Sequence, residues 1–187
     1  MLTFQRVREP ATMATRVAEV YQSAFSAFGD APGDDEVNRF AHETLPQHER
    51  REGFTFVAAL DADELVGFIY GYHGRSGEWW EDWISDRVPR AIYEEWFYNQ
   101  FDLTEFCVRA DRHREGIGSG LYDSLLARLA ELPYARAVLT TGRIDNPARE
   151  FYTRRGWEVV WDALDDRFSL LGLRLPQSQC GSPSGGA

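Results

Sequence analysis

A glycine-rich turn between a strand and a helix constrains the fold of this chain more than any other feature. Asp102–Arg109 is largely apolar and predicts a strand, and Leu121–Leu129 carries leucines at helical spacing. The connection reads Ala-Asp-Arg-His-Arg-Glu-Gly-Ile-Gly-Ser-Gly. The first turn of a helix has backbone N–H groups without internal partners and the positive end of the helix dipole. The segment therefore predicts a site where main-chain amides hold an anion such as a pyrophosphate.

Three glycines of this turn, Gly116, Gly118 and Gly120, are expected to keep side chains away from that anion. The segment lacks the last glycine of a dinucleotide-binding fingerprint, and no acidic residue ends a strand about 20 residues further on. A Walker loop is excluded because the chain contains no lysine. An ordinary strand–turn–helix connection with glycine at its tight positions remains the alternative interpretation.

The turn resembles the acyl-CoA signature of the GNAT superfamily of N-acetyltransferases, Arg/Gln-x-x-Gly-x-Gly/Ala between a strand and a helix. Here it reads His-Arg-Glu-Gly-Ile-Gly over residues 113–118, so His113 replaces the family's Arg or Gln, while Arg112 and Arg114 flank it. The resemblance implies acetyl-CoA as co-substrate, with no metal. It also implies that the residues of the turn bind the cofactor: His113, Arg114, Glu115, Gly116, Ile117, Gly118 and Ser119.

A second match lies downstream, where Asn146 and Pro147 open a helix that runs through Phe151 and Tyr152 to Gly156. This order resembles the family's closing element, in which Asn and Tyr face the cofactor. The resemblance implies that Asn146 contacts the cofactor and that Tyr152 protonates the departing thiolate. The alternative for Tyr152 is a helix residue that packs on the core.

The resemblance further implies a sheet that splays apart after its central strand and accepts the pantetheine arm in the gap. Main-chain groups of Phe106, Cys107 and Val108 would then bind that arm and the acyl carbonyl. Attack by an amine requires its neutral form, and the central strand offers Asp102 and Glu105 as bases. Three positions apart, they are expected on opposite faces, and we prefer Glu105, acting directly or through water. The alternative is that Asp102 and Glu105 are only solvated acids at the strand end and that bulk solvent deprotonates the amine.

The segment between the second hairpin strand and the central strand, Arg75–Asn99, is expected to be irregular. Its tryptophans and acids offer π faces and negative charge to a cationic amine. The residues that would contact this substrate are Trp79, Trp80, Glu81, Asp82 and Trp83. An amphipathic lid or a dimer surface is the alternative, because exposed tryptophan also marks protein interfaces.

The pattern of strands and helices predicts a single α+β domain over residues 1–175, with a mixed, mostly antiparallel sheet and helices on both faces. Residues 176–187 are expected to form a disordered tail. The formal net charge of −10 argues against a nucleic-acid partner. The sequence shows no secretory signal and no apolar run near 18 residues, so we expect a cytoplasmic protein without a membrane partner.

The sequence thus predicts an N-acetyltransferase that moves an acetyl group from acetyl-CoA to a primary amine, by direct attack in a ternary complex. A small cationic amine is the expected substrate, and a homodimer is a further expectation. Two alternatives stay open. One is acetylation of a protein N-terminus or lysine, and the other is a non-catalytic acyl-CoA-binding module.

Overall fold

A computed structural model describes residues 1–27, 31–143 and 146–176. Its centre is one seven-stranded sheet with the order β1-β2-β3-β4-β5-β7-β6. Neighbouring strands are antiparallel except for the parallel pair β4 and β5. The strands are Leu2–Val7 (β1), Thr55–Asp61 (β2), Glu64–His73 (β3), Gln100–Val108 (β4), Arg136–Gly142 (β5), Glu158–Trp161 (β6) and Phe168–Arg174 (β7). This architecture confirms the α+β class.

Seven α-helices connect the strands within the described residues. They are Ala14–Ser26 (α1), Asp34–Arg39 (α2), Leu45–Glu49 (α3), Trp79–Ser85 (α4), Arg90–Trp96 (α5), Ile117–Leu129 (α6) and Pro147–Thr153 (α7). A π-helical turn joins α2 to α3 over Phe40–Thr44. The expectation of an irregular Arg75–Asn99 is wrong, because α4 and α5 bury Ile84 and Trp96 against the sheet. The expected tail lies outside the described residues from position 177 onward.

The helices cover both faces of the sheet, as the sequence predicts. On the first face, α6 and α7 pack on one core that includes Leu121, Leu125 and Tyr152. On the second face, α1 packs over β3 and β4, with Val17 in the same core as Phe68. The helices α4 and α5 cover β5 and β7 on that second face. The two faces therefore present different sets of side chains along β4.

The sheet opens between β4 and β5. These strands pair only over Gln100–Asp102 and Arg136–Val138, although both continue beyond that point. No described strand pairs with the edge of β4 from Leu103 onward. The unpaired part of β4 leads to its carboxyl end, after which the glycine turn begins. The splayed sheet implied by the family resemblance is therefore present.

A bulge in β4 changes which side chains share a face. Tyr72 pairs with Asp102 and Tyr70 pairs with Glu105, so one residue lies between the tyrosines and two lie between the acids. Paired residues of antiparallel strands point to the same face, and Tyr70 and Tyr72 share a face. Asp102 and Glu105 therefore both point to the second face. The expectation that they lie on opposite faces is wrong, because the extra residue shifts the alternation by one.

Candidate active site

The glycine turn holds the start of α6 open to a ligand. Gly116 is the residue before the helix and has φ of 81°, a left-handed conformation that favours glycine. No side chain caps this end of α6, so the first-turn N–H groups keep their hydrogen-bonding capacity. A Cβ atom on Gly118 would approach no protein atom closer than 3.4 Å, from Phe106 Cζ. The turn therefore has the geometry of a main-chain anion site.

The third glycine of the turn serves packing instead. A Cβ atom on Gly120 would lie 2.1 Å from Phe4 Cζ, so the Phe4 ring would have to move. Gly120 thus lets α6 lie closely against β1. Ile117 has its side chain in the core and fixes the helix start against the sheet. The expectation that all three glycines clear space for a phosphate is corrected for Gly120.

The charged residues of the turn are largely engaged with each other. Arg112 forms ion pairs with Asp61 at 3.0 Å and with Glu115 at 2.8 Å. Its charge is therefore compensated within the protein. His113 Nε2 lies 3.0 Å from the carbonyl oxygen of Val108 and donates to it, since a carbonyl only accepts. Arg114 is exposed, with φ of 68°.

One basic residue beside this turn was missed by the sequence reasoning. Arg155 Nη2 donates to Ser119 Oγ at 2.7 Å, in the first turn of α6. Its guanidinium carbon lies 3.6 Å from the centre of the Phe151 ring, which holds the side chain flat. The sequence indication for this contact is the spacing of four residues between Phe151 and Arg155, which places both side chains on one face of a helix. The site therefore includes a positive charge contributed by the segment that follows α7.

Main-chain groups of β4 face the gap at alternate residues. Arg109 N donates to Val66 O of β3 at 3.0 Å. By alternation, Cys107 also directs its main chain to β3, whereas Phe106 and Val108 direct theirs to the gap. The expectation is thereby corrected for Cys107, whose main chain faces the neighbouring strand. Its side chain is buried on the second face, and burial raises the pKa of the thiol.

Tyr152 sits in a cage of aromatic rings on the first face. Its ring centre lies 5.2 Å from that of Trp157 and 6.3 Å from that of Phe106. Trp157 Nε1 donates to Tyr122 Oη at 2.8 Å, which fixes two walls of the cage. Burial raises the pKa of Tyr152 above its ordinary value, so the phenol stays protonated. Within the described residues no hydrogen bond holds its hydroxyl, which is free to serve a ligand.

Glu105 is the acid at the bulge of β4. The residue is half-buried, and burial raises the pKa of its carboxyl to about 8. Tyr70 lies beside it, and burial followed by the Glu105 charge raises the pKa of that phenol. Glu105 therefore holds a proton at neutral pH and releases it slightly above. A group with this pKa can accept a proton from an ammonium ion that approaches it.

Two further carboxyl groups, those of Glu81 and Asp102, lie near the start of β4. Glu81 Oε1 accepts from Gln100 Nε2 at 2.5 Å, and Glu81 Oε2 accepts from Tyr93 Oη at 3.0 Å. Burial followed by the Glu81 charge raises the pKa of Asp102. Asp102 Oδ1 is buried without a partner among the described residues. Glu81 was expected at the substrate surface, but with 2% exposure it is an internal residue that ties α4 to β4.

The tryptophans of α4 differ in their exposure. Trp79 is 77% exposed and stacks on Trp83 with ring centres 6.4 Å apart. The guanidinium of Arg87 already lies 4.6 Å from the centre of the Trp83 ring. Trp80 packs on Phe97 instead. Of the expected substrate residues, Trp79 is therefore the tryptophan that offers an open ring face.

The remaining expected residues are Asp82 and Asn146. Asp82 is exposed on α4, and its carboxylate accepts from Gly77 N at 3.1 Å. Asn146 caps α7, and its Oδ1 accepts from Ala148 N at 2.8 Å and from Arg149 N at 3.4 Å. The cap is the role that its position before Pro147 predicts. Its contact with a cofactor remains a prediction.

No helix in the described ranges is both long and apolar enough to span a bilayer. Across the same ranges, no group of three or more His, Cys, Asp and Glu residues is arranged to hold a metal ion.

A splayed mixed sheet with an anion-binding turn after its central strand defines a class of acyltransferases. The model of the acetyltransferase (GNAT) family matches residues 15–157. The chain belongs to this family.

Known proteins of this family resemble the chain in sequence or in fold. A relative from Mycobacterium tuberculosis, described as the GCN5-like protein acetyltransferase Rv2170, is 30% identical over 130 residues. The match covers 64% of this chain and 63% of that relative. The chain therefore spans less than two thirds of the length of the relative.

Two solved structures share the fold. A putative GNAT acetyltransferase from Desulfovibrio desulfuricans has a TM-score of 0.67 and 20% identity, covering 94% of this chain and 100% of its own. The PaiA N-acetyltransferase from Thermoplasma acidophilum, in complex with coenzyme A, has a TM-score of 0.63 and 13% identity. That match covers 93% of this chain and 99% of the PaiA chain.

Proposed function

We propose that this protein transfers an acetyl group from acetyl-CoA to the primary amine of a small cationic substrate. One observation carries the proposal: the unpaired edge of β4 ends at the uncapped first turn of α6. This arrangement offers main-chain hydrogen bonds to an extended chain and N–H groups to an anion at its end. Acetyl-CoA has both parts, a pantetheine arm and a pyrophosphate.

The residues at the gap fit this co-substrate. The N–H groups of Gly118 and Ser119 would hold phosphate oxygens, and Arg155 adds a positive charge beside them. Phe106 and Val108 would pair with the pantetheine amides. The coenzyme A complex of the PaiA enzyme, which shares the fold, supports this assignment. When bound, acetyl-CoA supplies the acetyl group as a thioester.

Glu105 and Tyr152 would move the protons of the reaction. Glu105 would take a proton from the acceptor ammonium on the second face once its carboxyl is ionised, and the ionised fraction grows as pH rises through its pKa of about 8. Tyr152, on the first face, stays protonated; it would give its proton to the departing sulfur and recover a proton from the nitrogen of the new amide. Cys107 is unsuited to carry an acetyl group, because burial raises the pKa of its thiol. Direct attack by the amine is therefore the route we propose.

The acidic groups of the second face favour a cationic acceptor. Glu105 and Asp102 both point there, and burial raises the pKa of each, so a bound ammonium ion would stabilise their ionised forms. Exposed Asp82 and the open face of Trp79 add attraction at the surface of α4. A polyamine-like or aminoglycoside-like amine has the matching charge.

A second candidate function is acetylation of a protein. The observation in its favour is the 30% identity to the mycobacterial protein acetyltransferase. The exposed side chains of Trp79 and Tyr98 would then contact the protein substrate, since aromatic residues are enriched in interfaces.

A panel of amines tests these functions by the release of free CoA thiol. We expect spermidine and an aminoglycoside to be acetylated faster than glutamate or a neutral amino acid. A lysine-containing peptide that outperforms all small amines would establish the second candidate. Binding of acetyl-CoA without thiol release on any amine or peptide would identify a non-catalytic module and refute the proposed activity.

A further inference from the structure

A cavity lined by arginines lies away from the gap between β4 and β5. Its volume is about 440 Å³, within the range of sites for small organic ligands. The ends of β1 and α6, the start of β2 and the loop after α3 form its wall. Its charged lining consists of Arg6, Arg8, Arg51 and Arg128, with Glu49 as the acidic member. Four positive groups against one negative group are unusual in a chain whose formal net charge is −10.

Much of this positive charge is not compensated inside the protein. Arg6 lies on β1 and Arg8 directly follows that strand; both are exposed, and neither forms an ion pair with any described residue. Arg128 pairs with Glu131 through Nη1, but its Nε is buried and lacks a hydrogen-bond partner among the described residues. A buried donor without a partner costs free energy that an oxyanion in the cavity would recover.

The other two charged residues of the wall, Arg51 and Glu49, already form contacts within the protein. Arg51 pairs with Glu78 and lies 4.3 Å from the centre of the Tyr72 ring. Glu49 Oε2 accepts from Ala11 N at 2.9 Å, which directs this oxygen to the backbone. The unmatched groups of the cavity are therefore guanidinium groups. The wall also includes two apolar side chains, Phe54 and Leu132.

We propose that this cavity binds a small organic oxyanion with two negative charges. Arg6, Arg8 and Arg128 would contact the charged head, because a guanidinium fork matches the oxygens of a phosphate or a carboxylate. Phe54 and Leu132 would contact an apolar part of the ligand. The volume exceeds what a single inorganic phosphate needs, which is why an organic ligand fits better.

The cavity is separate from the acyl-CoA turn. The two lie at opposite ends of α6, and the 12 residues from Gly116 to Arg128 correspond to about 18 Å of helix. The pantetheine arm follows β4, whereas the cavity borders β1 and β2. An anion in the cavity would therefore leave the acetyl-CoA site open.

Calorimetric titration with phenyl phosphate and with phthalate tests the proposal at fixed ionic strength, with benzoate as the singly charged comparison. We expect saturable binding of one or both dianions and at least tenfold weaker binding of benzoate. The double variant Arg6→Gln/Arg8→Gln should bind the preferred dianion about tenfold or more weakly. Arg90→Gln is the matched control, because Arg90 is 89% exposed in an ion pair on α5. Circular dichroism establishes that each variant is folded.

Gly118→Val provides the second control, since it alters the acyl-CoA turn alone. Dianion binding that persists in Gly118→Val and is lost in the double variant supports the cavity. Binding lost in Gly118→Val places the dianion at the acyl-CoA turn and overturns the proposal. The proposal also fails if neither dianion binds, or if the double variant binds as tightly as the unmodified protein.

Discussion

The two faces of the sheet offer different chemical groups to a ligand. On the face of α6 and α7, the candidate site consists of main-chain N–H groups at Gly118 and Ser119, an open strand edge and the phenol of Tyr152. On the face of α1 to α5, it consists of buried carboxyl groups, Asp102 and Glu105, whose pKa values are raised. Backbone geometry determines the first site, and side-chain packing from distant segments determines the second.

This difference has a consequence for specificity. In the proposed function, main-chain groups would recognise what all acyl-CoA molecules share, and they tolerate substitution as long as the backbone keeps its conformation. The carboxyl groups would recognise the charge of the acceptor, and each depends on its neighbours for its pKa. Changes on one face should therefore alter the use of one substrate and spare the other.

The largest expected effect comes from filling the acyl-CoA turn. Gly118→Val should weaken CoA binding by about a hundredfold, the cost of two charge-assisted hydrogen bonds of about 1.5 kcal/mol each. The protein should stay folded, because a Cβ atom at this position meets ordinary contacts only. Thermal shift with CoA measures the effect. Gly33→Val is the matched control, since Gly33 has φ of −68° and open space around it.

Tyr152→Phe should have the next largest effect. It removes the hydroxyl that would protonate the thiolate and keeps the ring that packs in the aromatic cage. We expect turnover to fall by about a hundredfold, while the affinity for acetyl-CoA changes little. Steady-state kinetics with thiol detection measures both. Turnover equal to that of the unmodified protein would leave Tyr152 with a packing role alone.

The sequence predicts the two faces unequally well. The strand, the glycine turn and α6 follow from local patterns, because a turn and a helix start depend on neighbouring residues. The common orientation of Asp102 and Glu105 does not follow, because a bulge depends on the pairing of β4 with β3. The sequence around Glu81 does not indicate that this residue is buried, because its hydrogen-bond partners Tyr93 and Gln100 lie 12 and 19 positions away.

Glu105→Gln should lower turnover by about tenfold to a hundredfold by removing the base. In the unmodified protein the base is ionised only above its pKa, so kcat/KM should rise with pH through an inflection near 8. That inflection should be absent in Glu105→Gln, and the acceptor's own titration should remain. An unchanged pH profile would transfer the role of base to Asp102 or to solvent.

Thermal stability gives an independent measure of the same group. The pKa of Glu105 is higher in the folded protein than the ordinary value, so its contribution to stability is fully present below pH 4 and declines as pH rises through 8. Glu105→Gln should therefore raise Tm relative to the unmodified protein at pH 9 more than at pH 5. An equal difference at both pH values would contradict the raised pKa.

The smallest effect should come from the surface of α4. Asp82 is exposed there, and exposed ion pairs contribute about 0.2–1 kcal/mol, so Asp82→Asn should raise the KM for spermidine about two- to fivefold. The increase should shrink as salt rises, because screening weakens the attraction in the unmodified protein. The KM for acetyl-CoA should stay constant, since its site is on the other face. Asp123→Asn, which changes an exposed acid on α6, is the control. If Asp82→Asn and Asp123→Asn have the same KM for spermidine, α4 takes no part in acceptor binding, and the carboxyl groups of β4 alone select the amine.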